Sequence, residues 1–152
     1  MERNGLVVGV LGLTCTVAAC SKEPLVGEWE LSSLTAQAYP AYSFYDEYCG
    51  YAEVSYSAVT QGRGSMRVDE TLGVRLDLSF DVPYSISSEY CETVTATDSL
   101  SFSGSGNARA FGNGTYDISV RDDAELALDC RLAEDFLDCD VDGGTRIGFR
   151  RR

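Results

Sequence analysis

The chain has 152 residues with 24 acidic and 12 basic side chains, no histidine, a net charge of −12 and six cysteines. An acidic chain without a basic stripe excludes nucleic acid as the natural partner, and it excludes electrostatic docking on anionic lipid. Without histidine there is no Ser–His or Cys–His pair of the usual kind, so nucleophilic catalysis lacks its ordinary base. Paired carboxylates for glycoside hydrolysis are the one catalytic arrangement the composition leaves open, and with this many acids accidental pairs are expected. The expectation is a non-enzyme with no cofactor and no metal.

The N-terminus carries an export signal. After Met1-Glu2-Arg3-Asn4, residues 6–19 are almost wholly apolar or small. That run is shorter than the roughly 20 apolar residues a membrane-spanning helix needs, and it fits the hydrophobic region of a secretory signal peptide. It ends in Val17-Ala18-Ala19-Cys20, followed by the polar Ser21-Lys22-Glu23-Pro24. This resembles the lipobox of bacterial lipoproteins. The resemblance implies cleavage between Ala19 and Cys20, lipidation of Cys20 and a membrane anchor through its acyl chains. Ser21 is not the aspartate that retains enteric lipoproteins at the inner membrane, so the resemblance favours the outer membrane. The expected division is a signal peptide over 1–19, a tether over 20–25 and a single domain over 26–152. Losing Glu2 and Arg3 leaves 23 acidic and 11 basic residues, so the charge stays at −12.

The domain reads as strands throughout. Residues 26–35 form the first, with Trp29, Leu31 and Ser33 on one face. Residues 36–51 differ: Tyr39, Tyr42, Phe44, Tyr45, Tyr48 and Tyr51 crowd a stretch interrupted by Pro40 and Gly50. It reads as a long ordered loop, either a plug over one end of the fold or a surface for a ligand or partner, with Tyr39, Tyr42, Tyr45 and Tyr48 as the contact candidates. From residue 52 the pattern is a meander. Val54, Tyr56 and Ala58 alternate, 61–64 reads as a turn, and Met66 and Val68 are in phase. Val74, Leu76, Leu78, Phe80, Val82 and Tyr84 then alternate with polar residues and Pro83, which marks a half-buried strand ending at an edge or bulge. Residues 86–98 have a weaker pattern, and a short helix is admissible there or within 36–50. Short strands are expected at 100–103 and 108–111, around Gly104 and Gly106. Asn113-Gly114 is a two-residue hairpin signal. Alternation returns through Tyr116, Ile118 and Val120, then Leu126 to Leu132, Leu137 to Val141, and Ile147 with Phe149.

Four cysteines accompany Cys20 in the exported part, and an even number there reads as two disulfides. A two-residue loop at Glu134-Asp135 sets Cys130 opposite Cys139, with all the apolar neighbours on one face; a slip of one residue would reverse that. Cys49 then pairs with Cys91. Asp138-x-Asp140-x-Asp142-Gly143 imitates the start of a calcium loop, but the position for the closing glutamate holds Phe149, and strand alternation already accounts for the aspartates.

Eight to ten short strands with turns between them describe an all-β antiparallel barrel or sandwich. Gly27-x-Trp29 on the first strand of such a series resembles the lipocalin pattern, and more closely that of small bacterial lipocalin-like lipoproteins. The family's Thr-Asp-Tyr-like turn is absent. The resemblance implies an up-and-down barrel whose end is plugged by Trp29, with a basic residue of the last strand across the indole: Arg151, which shares the parity of Ile147 and Phe149, with Arg150 second. A barrel of this size is either filled by side chains or holds one small ligand. Two readings follow, a mostly filled interaction module that meets an envelope protein, or a carrier of a small apolar ligand.

Overall fold

The computed structural model describes residues 22–38, 40–59, 61–141 and 144–152. The expected signal peptide, the cleavage site, Cys20 and Tyr39 lie outside these residues. Ten strands make up the described chain: β1 (Gly27–Thr35), β2 (Tyr42–Asp46), β3 (Gly50–Tyr56), β4 (Gly62–Val68), β5 (Gly73–Ser88), β6 (Val94–Gly112), β7 (Thr115–Arg121), β8 (Glu125–Ala133), β9 (Phe136–Val141) and β10 (Thr145–Arg151). No helix occurs among them.

The sheet runs β2-β3-β5-β4-β1-β10-β9-β8-β7-β6, and β6 pairs back onto β5. Eight strands therefore close on themselves in the order β1-β4-β5-β6-β7-β8-β9-β10, all antiparallel. This is the up-and-down, lipocalin-like barrel that the alternation predicts, with two strands added. Closure leaves the barrel no free edge, the usual liability of a strand-only chain. Every even residue of β5 from Val74 to Val82 is buried or packed on the core, as are Ile118, Val120, Leu128, Leu137, Ile147 and Phe149.

Of the two added strands, β2 and the start of β3 correct the expected loop, and the alternation read from Val54 to Ala58 is strand only as far as Tyr56. Residues 42–46 and 50–56 form a hairpin, Tyr42 opposite Val54 and Asp46 opposite Gly50. That hairpin joins the far half of β5, Tyr56 opposite Tyr84 and Ala52 opposite Ser88. β5 and β6 are longer than the barrel requires. They stay paired from Gly73–Asn107 to Ile86–Val94 and run past the rim, so β2, β3 and the outer halves of β5 and β6 make a four-stranded flap above one mouth. Neither segment that admitted a helix forms one; both belong to this flap.

Pro83 sits where β5 changes partner, between Phe80 opposite Gly62 of β4 and Tyr84 opposite Tyr56 of β3. Its carbonyl accepts a bond from Ser57 N at 2.8 Å on that same edge. The N–H that proline lacks would have pointed into the gap between β3 and β4, so β5 continues through Pro83 instead of ending there.

Three further boundaries differ from expectation. The strands expected at 100–103 and 108–111 are one 19-residue strand, β6. Its inward positions Gly104, Gly106 and Ala108 are small because they face Leu76 on β5, and Val120 and Ile118 on β7. A Cβ at Gly106 would stand 1.8 Å from the Ser119 carbonyl oxygen. The glycines mark close approach of backbone, not turns. The turn expected at 61–64 is the start of β4. Within β1, Ser32 is a bulge between Leu31 and Ser33, which shifts the phase so that Leu34, not Ser33, is buried.

The hairpin registers fall as the apolar pattern demands. Cys130 stands opposite Cys139 and Leu128 opposite Val141, while Cys139 stands opposite Ile147 and Leu137 opposite Phe149. Asn113 and Gly114 both have positive φ, 51° and 74°, as a type I′ turn requires.

Candidate functional site

The two ends of the barrel are built differently. One is closed. Residues 23–26, which the sequence assigned mostly to a tether, lie across it, and Leu25 is fully buried. The Trp29 indole fills the opening behind Leu25 and donates from Nε1 to the Leu25 carbonyl at 2.9 Å. Arg151 holds its guanidinium 4.4 Å from the centre of the Trp29 ring, and Arg150 is exposed. The guanidinium donates to the carbonyls of Val26 (3.2 Å) and Pro24, and it meets Asp135 at 3.4 Å. Tyr116, also buried, donates to Glu23 at 2.7 Å. Burial, then this bond, push the Tyr116 hydroxyl up to about 12. The Trp29 indole, the Arg151 guanidinium and the Tyr116 hydroxyl therefore each find a partner within the chain.

The other end is open. A strap, residues 36–38 with Pro40, crosses the rim, tied to the connection between β3 and β4 by reciprocal backbone bonds between Ala36 and Val59 at 3.0 and 3.2 Å. Beneath it lies a pocket of about 540 Å³ lined by Leu34, Ala36, Gln37, Ala38, Pro40, Ser57, Val59, Leu78, Phe80, Phe102, Leu126, Val141, Thr145 and Ile147. None of these is charged. The barrel is thus packed around Trp29, Leu76 and Leu128, and the pocket opens above this core.

The flap continues the inner wall of this pocket. A row of rings crosses it: Phe44 and Tyr42 at 6.4 Å, Tyr42 and Tyr56 at 6.4 Å, Tyr56 and Tyr84 at 5.9 Å between centroids. Ala52 and Val54, the cross-strand partners of Phe44 and Tyr42, are buried, whereas Tyr42 and Phe44 are half exposed. Pro40, Ala41, Tyr42, Tyr56, Val82, Asp98 and Leu100 enclose a trough of about 460 Å³ on this face. The Tyr56 hydroxyl is raised above its ordinary value, first by its hydrogen bond with Tyr42, then by burial, and to a smaller degree by the charges of Tyr42, Asp98 and Tyr84.

The tyrosines singled out from the sequence separate in space. Tyr42 belongs to the inner face of the flap. Tyr45 lies on the outer face against Tyr51, edge-on at 5.4 Å. Tyr48 is 88% exposed in the turn between β2 and β3, where the Asp46 carboxylate accepts from the Tyr48 and Cys49 amides, both at 2.9 Å. Those two bonds, Cys49 first, hold the Asp46 carboxyl below the usual carboxylate range. The disulfides are Cys49–Cys91, which ties the flap's two turns together, and Cys130–Cys139 in the barrel wall. At the tip Gly50, at φ +75°, lies under the Tyr90 ring; a Cβ there would stand 2.8 Å from it. Tyr56 and Tyr84 were not counted as contact candidates, although the alternation running on from Leu78 through Phe80 and Val82 contains both. Asp98 gives no signal in the sequence, because its neighbours are set by the register of β5 and β6.

Of the calcium-like aspartates, Asp138 and Asp140 are on the outer wall, and Asp142 lies outside the described residues. Asp140 is engaged by Arg146 Nε at 2.9 Å, and among the described residues no three metal-ligating side chains gather. No protein-family model matches this chain, and comparison with curated proteins and with solved structures found no match.

Proposed function

We propose that the chain is a lipid-anchored bacterial envelope protein whose barrel is a non-catalytic binding module that receives a small apolar group in its open mouth. The observation that carries the reading is the uncharged pocket of about 540 Å³ under the strap of residues 36–38 and Pro40. Between a filled barrel and a ligand carrier, this pocket favours a site that admits one apolar group, with the packed core below as its floor. The anchor rests on the lipobox-like Val17-Ala18-Ala19-Cys20, and the outer membrane is the favoured location. Leu25 is fixed at the closed end, and five residues of fully extended chain span about 18 Å at most. A lipidated Cys20 therefore holds the closed end toward the bilayer and leaves the mouth and flap facing away from it. The exposed Tyr45, Tyr48, Tyr51 and Tyr90 on the outer side and tip of the flap favour a second reading, contact with another envelope protein.

The test uses a neutral apolar fluorophore, N-phenyl-1-naphthylamine, titrated into the mature protein. Saturable micromolar enhancement is expected, and it should vanish in Val141→Arg, which places a charge at the half-buried rim of the pocket. No saturable signal with folded protein sinks the mouth as a site. In cells, Cys20→Ser should move the chain from the membrane fraction to the soluble fraction; persistence in the membrane fraction refutes the anchor.

A further inference from the structure

The apolar mouth does not end at the rim. Pro40 lines both the mouth pocket and the flap trough. The strand register makes the two continuous: Phe80, in the mouth, stands opposite Leu100, in the trough. Two residues along β6, about 7 Å farther on, Asp98 stands opposite Val82. An apolar chain seated in the mouth and emerging under the strap runs toward Tyr42, Tyr56 and Asp98.

The charge around this exit has one sign. Residues 40–59 and 81–100 contain seven acidic side chains, Asp46, Glu47, Glu53, Asp81, Glu89, Glu92 and Asp98, and neither lysine nor arginine. Neither pocket lining holds a cation. Asp81 is engaged by Ser99 at 2.6 Å, whereas the Asp98 carboxylate makes no hydrogen bond or ion pair among the described residues. The rings of Tyr42 and Tyr56 border the same trough. Aromatic faces attract cations, and a carboxylate beside them adds to that attraction while repelling an anionic head group. A fatty carboxylate leaving the mouth would meet Asp98 and the rest of this field head on.

We propose that mouth and trough form one site for a cationic amphiphile, an apolar chain in the mouth with an ammonium head held by Tyr42, Tyr56 and Asp98. The assignment rests on the mouth reading above and adds the head group to it. A second copy of this chain is a poor occupant, since two flaps of like charge would face each other.

The probes are decyltrimethylammonium, decanoate and decanol, each displacing N-phenyl-1-naphthylamine from the mature protein at low salt and below its micelle concentration. The ammonium is expected to displace at concentrations about tenfold below decanoate. Asp98→Asn should shrink that preference to about twofold and leave decanol unchanged. Asp81→Asn removes the same net charge from the flap but not from the trough, and should leave the preference intact. Tyr42→Leu keeps the trough apolar and should weaken the ammonium alone. Equal or better displacement by decanoate, or an unchanged preference in Asp98→Asn, overturns the head-group assignment while the mouth survives. Failure of the naphthylamine to bind at all overturns both.

Discussion

The closed and open ends of the barrel use the same materials to opposite effect. Each has an aromatic cluster, a carboxylate near a tyrosine hydroxyl and a length of chain laid across the opening. At the closed end Trp29 is fully buried, Arg151 lies on its face, and Tyr116 meets Glu23 at 2.7 Å. At the open end Tyr42 and Phe44 are half exposed, Leu100 likewise, and Asp98 has no cation beside it. The difference lies in the supply of partners. The last strand brings Arg151 back to the first at the closed end, so charge and ring are satisfied within the chain. The flap draws on two stretches without a single basic residue, so neither stretch supplies a cation to its rings and carboxylates. Exposed aromatic area rimmed by unpaired charge is the mark of a binding surface, while the same groups satisfied internally belong to stability.

The widest separation of the two ends comes from aromatic truncation. Trp29→Ala removes the plug and leaves a cavity against Leu25 and Phe149, which should cost about 3–5 kcal/mol, measured by denaturant unfolding. Tyr48→Ala at the flap tip, where the ring is 88% exposed, should stay within about 0.5 kcal/mol. Equal losses at the two positions would mean the flap is as much a part of the cooperative core as the plug.

The disulfides sharpen the same contrast. Cys49 and Cys91 are 42 residues apart, Cys130 and Cys139 only nine. Chain entropy alone assigns about 4 kcal/mol to the first link and about 2.7 kcal/mol to the second. Their consequences differ in kind. Cys130–Cys139 bridges a hairpin whose register the buried pairs already fix, so replacing both cysteines by serine should lower stability with no change in the mouth. Without Cys49–Cys91, β2 and β3 are held to β5 by a five-pair ladder and a few flanking backbone bonds, and amide exchange in residues 42–56 should accelerate ahead of the barrel. A double Cys49→Ser, Cys91→Ser variant whose flap exchanges as slowly as its barrel would show that β3 pairing alone secures the flap.

How much of this was legible in the sequence depended on whether a strand had one wet face. β5, β7, β8, β9 and β10 do, and their alternation gave the barrel, the inward parity of Arg151 and the Cys130–Cys139 register. β2 has rings on both faces, Tyr42 and Phe44 on one and Tyr45 on the other, so period two left no trace and the strand read as part of a loop. β6 failed for the opposite reason. Its inward side is Gly104, Gly106 and Ala108, chosen for the bulk of Leu76, Val120 and Ile118 across from them, and small residues read as turns. The β1 bulge at Ser32 was invisible because a phase shift needs a partner strand to reveal it. Of the site itself, the mouth was implicit in the alternation, whereas the trough and Asp98 exist only through the extra length of β5 and β6 beyond the rim.

The smallest expected effect concerns Tyr116, which sits where the plug meets the barrel wall. Its hydroxyl is raised from the ordinary 10.0 to about 12 by burial and by Glu23. A folded-state value above the unfolded one means that the folded chain holds this proton more tightly. The stability this gives is complete below pH 10 and is lost as the pH climbs from 10 to about 12. Tyr116→Phe removes the proton and the bond to Glu23 together. It should cost about 0.5–1.5 kcal/mol near neutrality. Above pH 10 the variant should lose stability less steeply than the parent, so that the gap between them narrows. Denaturant midpoints at pH 8, 10 and 11 decide the matter. Parallel curves for the parent and Tyr116→Phe would show that Tyr116 ionises as readily folded as unfolded, and that the closed end is wetter than its packing implies.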